Sequence, residues 1–259
     1  MEKEILGLFR GCAERVERKL EGLEEGELKR VLKTGADGTP VKGIDDIAES
    51  MAIDHLRKNC DCDILSEESG SVKNGGDGTV IMDPIDGTTN ALLGIPFYCI
   101  SMAYTVSDLS GVSVGYVRNL ISGKEYHAIK GEGGYCNGEK IVQNRIKGLN
   151  FSVYLGKKAH PDNFRVASLP DRTRSLGSAA LEICLVAEGV LDLYYMRTKE
   201  KKRSLRITDI AAAKLILEES GGKVYDDSWS PVNMRLDPKE REDVIAINDE
   251  KIREVIERC

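Results

Sequence analysis

Residues 97–130 constrain the fold more than any other stretch of this chain. They hold three apolar runs, 97–106, 112–118 and 124–130, separated by short polar or glycine-containing turns at 107–111 and 119–123. Connections this brief close antiparallel hairpins and leave no room for the crossover helices that a parallel sheet requires. Two helices precede them. Ile5, Leu6, Phe9, Cys12, Ala13, Val16 and Leu20 recur at helical spacing and the pattern stops at Gly22. A second amphipathic helix is predicted over 45–57, burying Ile47, Ala48, Met51, Ala52 and Leu56. Asp45 stands at its start, where a carboxylate suits exposed backbone N–H groups. The first half therefore reads as α+β.

The second half alternates differently. A strand at 151–155, a short helix at 161–169, a helix at 178–188 and a strand at 191–196 follow in turn. A helix at 208–220, the turn Gly221-Gly222, strands at 224–225 and 244–247 and a closing helix complete it. Strands separated by helices indicate an α/β layer arrangement, and the boundary between the halves is expected near residue 145, giving parts 1–145 and 146–259. With 41% hydrophobic and 31% charged residues in a chain of 259, the composition excludes disorder. A net charge of -6 argues against a protein that holds nucleic acid by its overall field. No apolar stretch has the length of a spanning helix, and the charged first twenty residues do not form a signal peptide, so no membrane is implied and the cytoplasm is expected.

Seven cysteines, at 12, 60, 62, 99, 136, 184 and 259, include no Cys-x-x-Cys. Cys60-Asp61-Cys62 is the one close pair; it reads as ordinary packing, with a metal or redox role as the other reading. Nothing in the pattern calls for an oxidising compartment. His55, His127 and His160 show no paired spacing and read as structural or solvent-exposed.

The chemistry concentrates where two short strands end. Residues 63–66 deliver Glu67-Glu68, and residues 79–82 open into Asp83-Pro84-Ile85-Asp86-Gly87-Thr88-Thr89-Asn90. Proline fixes its own φ and removes a donor, while Gly87 lets backbone approach a ligand closely. If a helix starts near residue 88, its first N–H groups form an anion site beside a cation site. The alternative is an Asx-type turn with capping aspartates. Adjacent carboxylates at a strand end repel unless solvent or a cation compensates, so Glu67, converging with Asp83 and Asp86, favours a hard divalent ion, magnesium above others.

Five motifs stand in order over residues 33–222: Asp37-Gly38-Thr39-Pro40-Val41 with Asp45, Glu67-Glu68-Ser69, the acidic turn, Gly177-Ser178-Ala179-Ala180, and Thr208-Asp209 before a helix ending at Gly221-Gly222. In these the chain resembles the inositol monophosphatase family of lithium-sensitive, magnesium-dependent phosphatases. The resemblance implies a layered αβαβα sandwich, an α/β fold of the sugar phosphatase type with an antiparallel-rich N-terminal sheet, and a homodimer. It implies Glu67, Asp83 and the Ile85 carbonyl as ligands of a first magnesium, and Asp83, Asp86 and Asp209 as ligands of a second. Glu67 would help hold a weaker third ion through waters, and manganese is an alternative metal. Asp45 and Thr88 would deprotonate the attacking water, Gly87 and Thr88 would cradle the phosphate, and Ser178 and Ala179 would meet the substrate. The implied reaction is in-line attack of a metal-activated water on phosphorus, without a phosphoenzyme.

Two departures from the family pattern bear on substrate. Thr208 stands where the family usually has Trp, and its hydroxyl could cap the helix at Asp209. Where inositol-specific members carry an acidic residue, residues 197–206 hold Arg197, Lys199, Lys201, Lys202, Arg203 and Arg206 against Glu200. This reads as a solvated loop, or as a positive lip for a second phosphate with Arg197, Lys202 and Arg203 reaching it and Arg172 and Arg174 joining from a neighbouring loop. The second reading is similar to archaeal dual-specificity members, which hydrolyse fructose 1,6-bisphosphate and inositol monophosphate. The element at 37–40 also resembles nucleotide bisphosphate phosphatases, which keeps 3'-phosphoadenosine 5'-phosphate as an alternative, although few aromatics are free to stack a base. A catalytically inactive phosphosugar- or RNA-binding protein is the non-enzymatic alternative; the intact acidic set and the negative charge argue against it.

Overall fold

The computed structural model describes residues 1–22, 26, 31–34, 40–143, 147–201 and 204–258, with backbone alone at 31–34, 40 and 41. Asp37, Gly38, Thr39, Lys202 and Arg203 lie outside these residues, so the expectations placed on them are not carried further.

Eight strands form the larger sheet in the order β10-β9-β8-β7-β6-β5-β3-β4. They are β3 (Asp63–Ser66), β4 (Gly70–Val72), β5 (Thr79–Asp86), β6 (Cys99–Thr105), β7 (Val112–Asn119), β8 (Glu125–Ile129), β9 (Gly133–Cys136) and β10 (Glu139–Lys140). The run from β5 through β10 is antiparallel, as the short turns require, and β3 alone pairs in parallel, with β5. A second sheet has the order β12-β11-β13-β15-β14, from β11 (Asn150–Val153), β12 (Arg172–Arg174), β13 (Leu193–Met196), β14 (Lys223–Tyr225) and β15 (Val244–Ile247). β1 (Val31–Thr34) and β2 (Pro40–Lys42) make a small hairpin.

Side-chain alternation along the strands sorts the helices into layers. Ile100, Met102 and Tyr104 of β6 face α1 (Glu2–Leu20) and α2 (Gly43–Asn59), burying Phe9, Cys12, Val16, Ile44, Ala48 and Leu56. Cys99 and Ala103, one step out of phase, face α5 (Ala179–Ala187) and α6 (Ile207–Glu219). Those two helices also pack on Tyr194, Val244 and Ala246 of the smaller sheet. The opposite face of that sheet, with Leu193, Tyr195, Ile245 and Ile247, is covered by α4 (Pro161–Ala167) and α7 (Lys251–Glu257) through Val166, Ile252 and Ile256. The result is a five-layered αβαβα sandwich, the fold implied by the motifs.

Position in this stack explains helix composition. The central helices are covered on two sides, so α5 buries eight of its nine residues and α6 is buried from Ile207 to Leu217. α6 lies so near the larger sheet that a β-carbon on Gly115 would come within 2.6 Å of the Ala212 carbonyl oxygen. Glycine keeps that approach open.

Several local expectations change. β5 does not stop at Met82 but continues through the acidic residues to Asp86. Arg172 and Arg174 lie on an edge strand rather than in a loop, two residues apart on one face and both exposed. On α2 the buried set is Gly43, Ile44, Asp45, Ala48, Glu49, Ala52 and Leu56, with Ile47 and Met51 only half-buried. Cys60 and Cys62 form a disulfide, their Cα atoms 5.4 Å apart, instead of packing as separate thiols. Cys12, Cys99 and Cys184 do pack as buried thiols. Among the described residues no helix is long and apolar enough to cross a membrane.

Candidate active site

Strand register brings the first two acids together. β3 and β5 run parallel with Ser66 opposite Met82, so the next residues, Glu67 and Asp83, emerge side by side at one end of the sheet. Asp83 continues the face of Ile81, toward the central helices. Asp86 would point the other way in a regular strand, because an odd separation changes face. A bulge prevents this: Asp83 pairs with Ser101 and Asp86 with Cys99, three steps on one strand against two on the other. Pro84 sits within the bulge, where its missing N–H costs no ladder bond. The Asx-type turn also forms, with the Ile85 N–H donating to Asp83 Oδ1 at 2.9 Å. Capping turn and acidic site are one structure.

Asp209 arrives from the first turn of α6. Its Oδ2 accepts the Arg206 N–H at 2.8 Å, and its Oδ1 accepts the Thr208 hydroxyl at 3.2 Å. The cap is thus made by the Asp209 carboxylate, while the Thr208 hydroxyl serves that carboxylate instead of capping the helix. Oxygens of Glu67, Asp83 and Asp209 lie within 4.8 Å of one another. The Arg206 guanidinium pairs with Glu67 and stands 3.9 Å from Asp209 Oδ1.

Asp86 faces the same space but is held differently. Its Oδ2 accepts the Ser178 hydroxyl and the Ala180 N–H, both at 2.7 Å, so it also caps the start of α5. Gly87 has φ +98°, and a β-carbon there would press on the Phe97 carbonyl and the Tyr98 side chain, each 3.1 Å away. This left-handed glycine turns the chain into the short helix α3 (Thr88–Leu93). The turn returns the Thr88 hydroxyl to Asp45 Oδ1 at 2.9 Å and to the Ile85 carbonyl at 3.1 Å. Asp45 Oδ2 accepts the Lys42 N–H at 3.3 Å.

Burial raises the proton affinity of these acids. It pushes Glu67 up to about 8, with Arg206 pulling down and Asp209 and Glu68 pushing further up. Asp86 rises to about 7 from burial and the Asp209 charge, and Asp45 to about 6 chiefly from burial. Asp83 is raised well above the usual carboxylate range by burial and by Glu67, Asp86 and Asp209. A cluster of buried acids that repel one another is a site that favours a cation. An all-carboxylate donor set suits a hard divalent ion.

Supports that sequence reasoning missed hold this arrangement. Glu49, 1% exposed, accepts the Ser69 hydroxyl at 2.6 Å and the Ser69 and Glu68 N–H groups at 2.9 and 3.2 Å, fixing the turn beside Glu67. Glu182 accepts the N–H groups of Leu176, Gly177 and Ser178 at 3.0–3.2 Å, holding the turn that carries Ser178. Asn90 donates to the Phe97 and Leu176 carbonyls, each at 2.7 Å. The signal for Glu49 was an acid set among apolar helix positions; for Glu182 it was an acid in the first turn of a helix after Ser178.

The basic stretch is more committed to partners than a bare positive lip. Arg197 pairs with Asp162 and Asp227, and Lys201 with Glu242 at 2.9 Å. Beside Asp86 a cavity of about 190 Å³ is walled by Tyr154, Gly177, Ala179, Tyr194, Met196 and Leu205.

A five-layered sandwich with a convergent acidic cluster at strand and helix ends defines a class of metal-dependent phosphatases. The chain belongs to the inositol monophosphatase family, whose sequence model matches residues 2–258. It is 37% identical over 252 residues to a fructose-1,6-bisphosphatase/inositol-1-monophosphatase of Archaeoglobus fulgidus, covering 96% of this chain and 95% of that one. It is also 36% identical over 245 residues to a bifunctional NADP phosphatase/NAD kinase of Methanococcus maripaludis, covering 85% of this chain and 42% of the relative. Among solved structures, an inositol monophosphatase-fructose 1,6 bisphosphatase superposes with a TM-score of 0.83 at 27% identity, over 96% of this chain and 97% of that one.

Proposed function

We propose that this chain is a magnesium-dependent phosphatase that hydrolyses fructose 1,6-bisphosphate and inositol 1-phosphate. The observation that carries the reading is the Thr88 hydroxyl bonded to both Asp45 and the Ile85 carbonyl, with the Ile85 N–H donating to Asp83 of the Glu67, Asp83 and Asp209 cluster. In this reading Glu67, Asp83, Asp86, Asp209 and the Ile85 carbonyl hold two or three magnesium ions, or manganese in their place. When bound, the metal neutralises phosphoryl oxygens and acidifies the attacking water.

The protein's own groups move the proton. Thr88 Oγ accepts a proton from water as its own proton passes to Asp45 Oδ1, 2.9 Å away. A carboxyl raised to about 6 is ionised at neutral pH and near enough to it to act as a base. The hydroxide then displaces the alkoxide in line, and solvent protonates the leaving oxygen. Gly87 and Thr88 backbone N–H groups hold the phosphate, while Ser178 and Ala179 border the substrate. Arg172 and Arg174 are assigned to the second phosphate of a bisphosphate, and Arg197 joins them only by exchanging its Asp162 or Asp227 partner for the phosphate. The reading extends to a homodimer working in the cytoplasm.

A second reading is a nucleotide phosphatase acting on 3'-phosphoadenosine 5'-phosphate or NADP. The cavity walled by Tyr154, Tyr194 and Met196 favours it, since such walls accept a planar ring, and so does the likeness to an NADP phosphatase. The test is phosphate release from fructose 1,6-bisphosphate, inositol 1-phosphate, 3'-phosphoadenosine 5'-phosphate and NADP, each with magnesium and with excess chelator. Highest kcat/KM on the first two supports the leading reading and highest on a nucleotide supports the second. Release that survives chelation, or none from any substrate, sinks both.

A further inference from the structure

Arg206 occupies an unusual position for a cation in a site built to take one. It immediately precedes α6, and its backbone N–H caps that helix through Asp209 Oδ2. Its side chain turns back across the acids, pairs with Glu67 and comes within 3.9 Å of Asp209 Oδ1, with only 16% of its side chain exposed. Among the described residues it is the basic group that ion-pairs with both of these carboxylates. Glu67 and Asp209 are also two of the three acids whose oxygens could close on one ion. A guanidinium and a divalent ion cannot share the same oxygens: magnesium demands near-octahedral oxygen contacts at short range, and the two charges repel across so small a distance.

We propose that Arg206 is a resident counter-ion that the metal must displace. With no divalent ion bound, its guanidinium offsets the repulsion among Glu67, Asp83 and Asp209 and keeps the cluster assembled. When a divalent ion enters, the side chain leaves Glu67, so Arg206 sets the metal concentration at which the site fills. The inference rests on the metal-dependent reading of the site. It differs from the positive-lip expectation for residues 197–206, because here the arginine acts on the acids rather than on a substrate phosphate.

Arg206→Met tests it, because this substitution removes the charge, keeps much of the length and leaves the backbone N–H cap in place. Manganese binding is measured by titration calorimetry without substrate, and melting temperature is measured in chelator and at saturating manganese. Arg206→Met is expected to bind manganese roughly tenfold or more tightly, as loss of a charge-assisted pair implies, and to melt lower than the unaltered protein in chelator but alike at saturation. Arg206→Lys, which keeps the charge, should bind within a few-fold of the unaltered protein. Unchanged or weaker manganese binding by Arg206→Met overturns the proposal, as does an equal melting loss with and without metal. If Arg206→Met does not fold, Arg206→Gln carries the same comparison. Absence of manganese binding by the unaltered protein overturns the metal reading itself, which is a distinct result.

Discussion

Glu49 gives the sharpest test of how the site is held, because it touches none of the proposed metal ligands. It is almost wholly buried on α2 and reaches the turn after β3 with three hydrogen bonds, from the Ser69 hydroxyl and the N–H groups of Ser69 and Glu68. Glu49→Ala would leave two backbone donors without their acceptor, each costing about 1–3 kcal/mol. The void left by the shortened side chain adds roughly 1 kcal/mol. The expected loss is therefore about 3–7 kcal/mol, a large share of the ~5–15 kcal/mol that holds a domain together. Glu49→Gln retains an amide oxygen for the backbone donors and should lose only about 1–2 kcal/mol. Urea unfolding of the metal-free proteins measures both. The turn also carries Glu67, so Glu49→Ala should weaken manganese binding in a calorimetric titration, with the glutamine variant between. An alanine variant within about 1 kcal/mol of the parent, or one with unchanged metal affinity, would refute the reasoning that Glu49 positions this turn.

Asp83→Asn should greatly reduce phosphate release at saturating substrate and limiting magnesium; full activity there would sink the assignment of Asp83 to the metal. Thr88→Val removes the hydroxyl between water and Asp45 and should lower kcat by roughly 10²–10⁴-fold, whereas Thr88→Ser should keep most of it, and equal kcat values for the two variants would contradict the proton path. Glu67, Asp86 and Asp45 are raised to about 8, 7 and 6 in the folded protein, above their unfolded values near ~4. Their contribution to stability is thus fully present below about pH 4 and is lost progressively as pH rises from about 4 until it has passed the folded values of about 6, 7 and 8, so the melting temperature of metal-free protein should fall from about pH 4 to about pH 8 and saturating magnesium should flatten the fall; parallel curves with and without metal would contradict the linkage. Gly115→Val would drive a side chain into the Ala212 carbonyl oxygen, 2.6 Å from the first added atom, and should cost about 1–3 kcal/mol in urea unfolding.

The parts of this architecture that were legible are those governed by local rules. Turns at 107–111 and 119–123 enforced antiparallel pairing whatever the surroundings, and the helical spacing of Phe9, Cys12 and Val16 marked the face that packs on the sheet. Glu67 and Asp83 could be read because each follows a short apolar run; their juxtaposition needs only the parallel register that pairs Ser66 with Met82. Asp86 shows where local reasoning fails. Its spacing from Asp83 puts it on the opposite face of a regular strand, and only the bulge, a feature of pairing with β6, restores it. Asp209 was found by resemblance alone, since an acid in the first turn of a helix has the same local pattern whether it caps or meets a distant strand. Glu49 was passed over because charge at an amphipathic boundary ordinarily faces water. Its burial comes from the 67–69 turn packing over it, which no periodicity encodes.

The acidic groups come from different layers of the stack, and this ties metal binding to the integrity of the fold. Glu67 follows β3 and Asp83 lies within β5, adjacent strands of the larger sheet, whereas Asp209 belongs to a central helix. Asp86, at the end of β5, caps the other central helix through the Ala180 N–H. Moving α6 away from the sheet would separate Asp209 from Glu67 and Asp83, so an ion bound by all three acts as a cross-link between layers. Without it, acids raised by burial and mutual repulsion sit at the contact between sheet and helices, where their ionisation opposes packing. Apolar burial of α5 and α6 between the two sheets offsets that opposition, consistent with side chains that are apolar nearly all round. Mass action then sets the size of the link: a ligand at a hundred times its Kd stabilises the folded state by about 2.7 kcal/mol. That gain should appear at the contact of α6 with β5, so its amides should gain hydrogen-exchange protection on metal addition while those of α7, on the far face of the smaller sheet, change little.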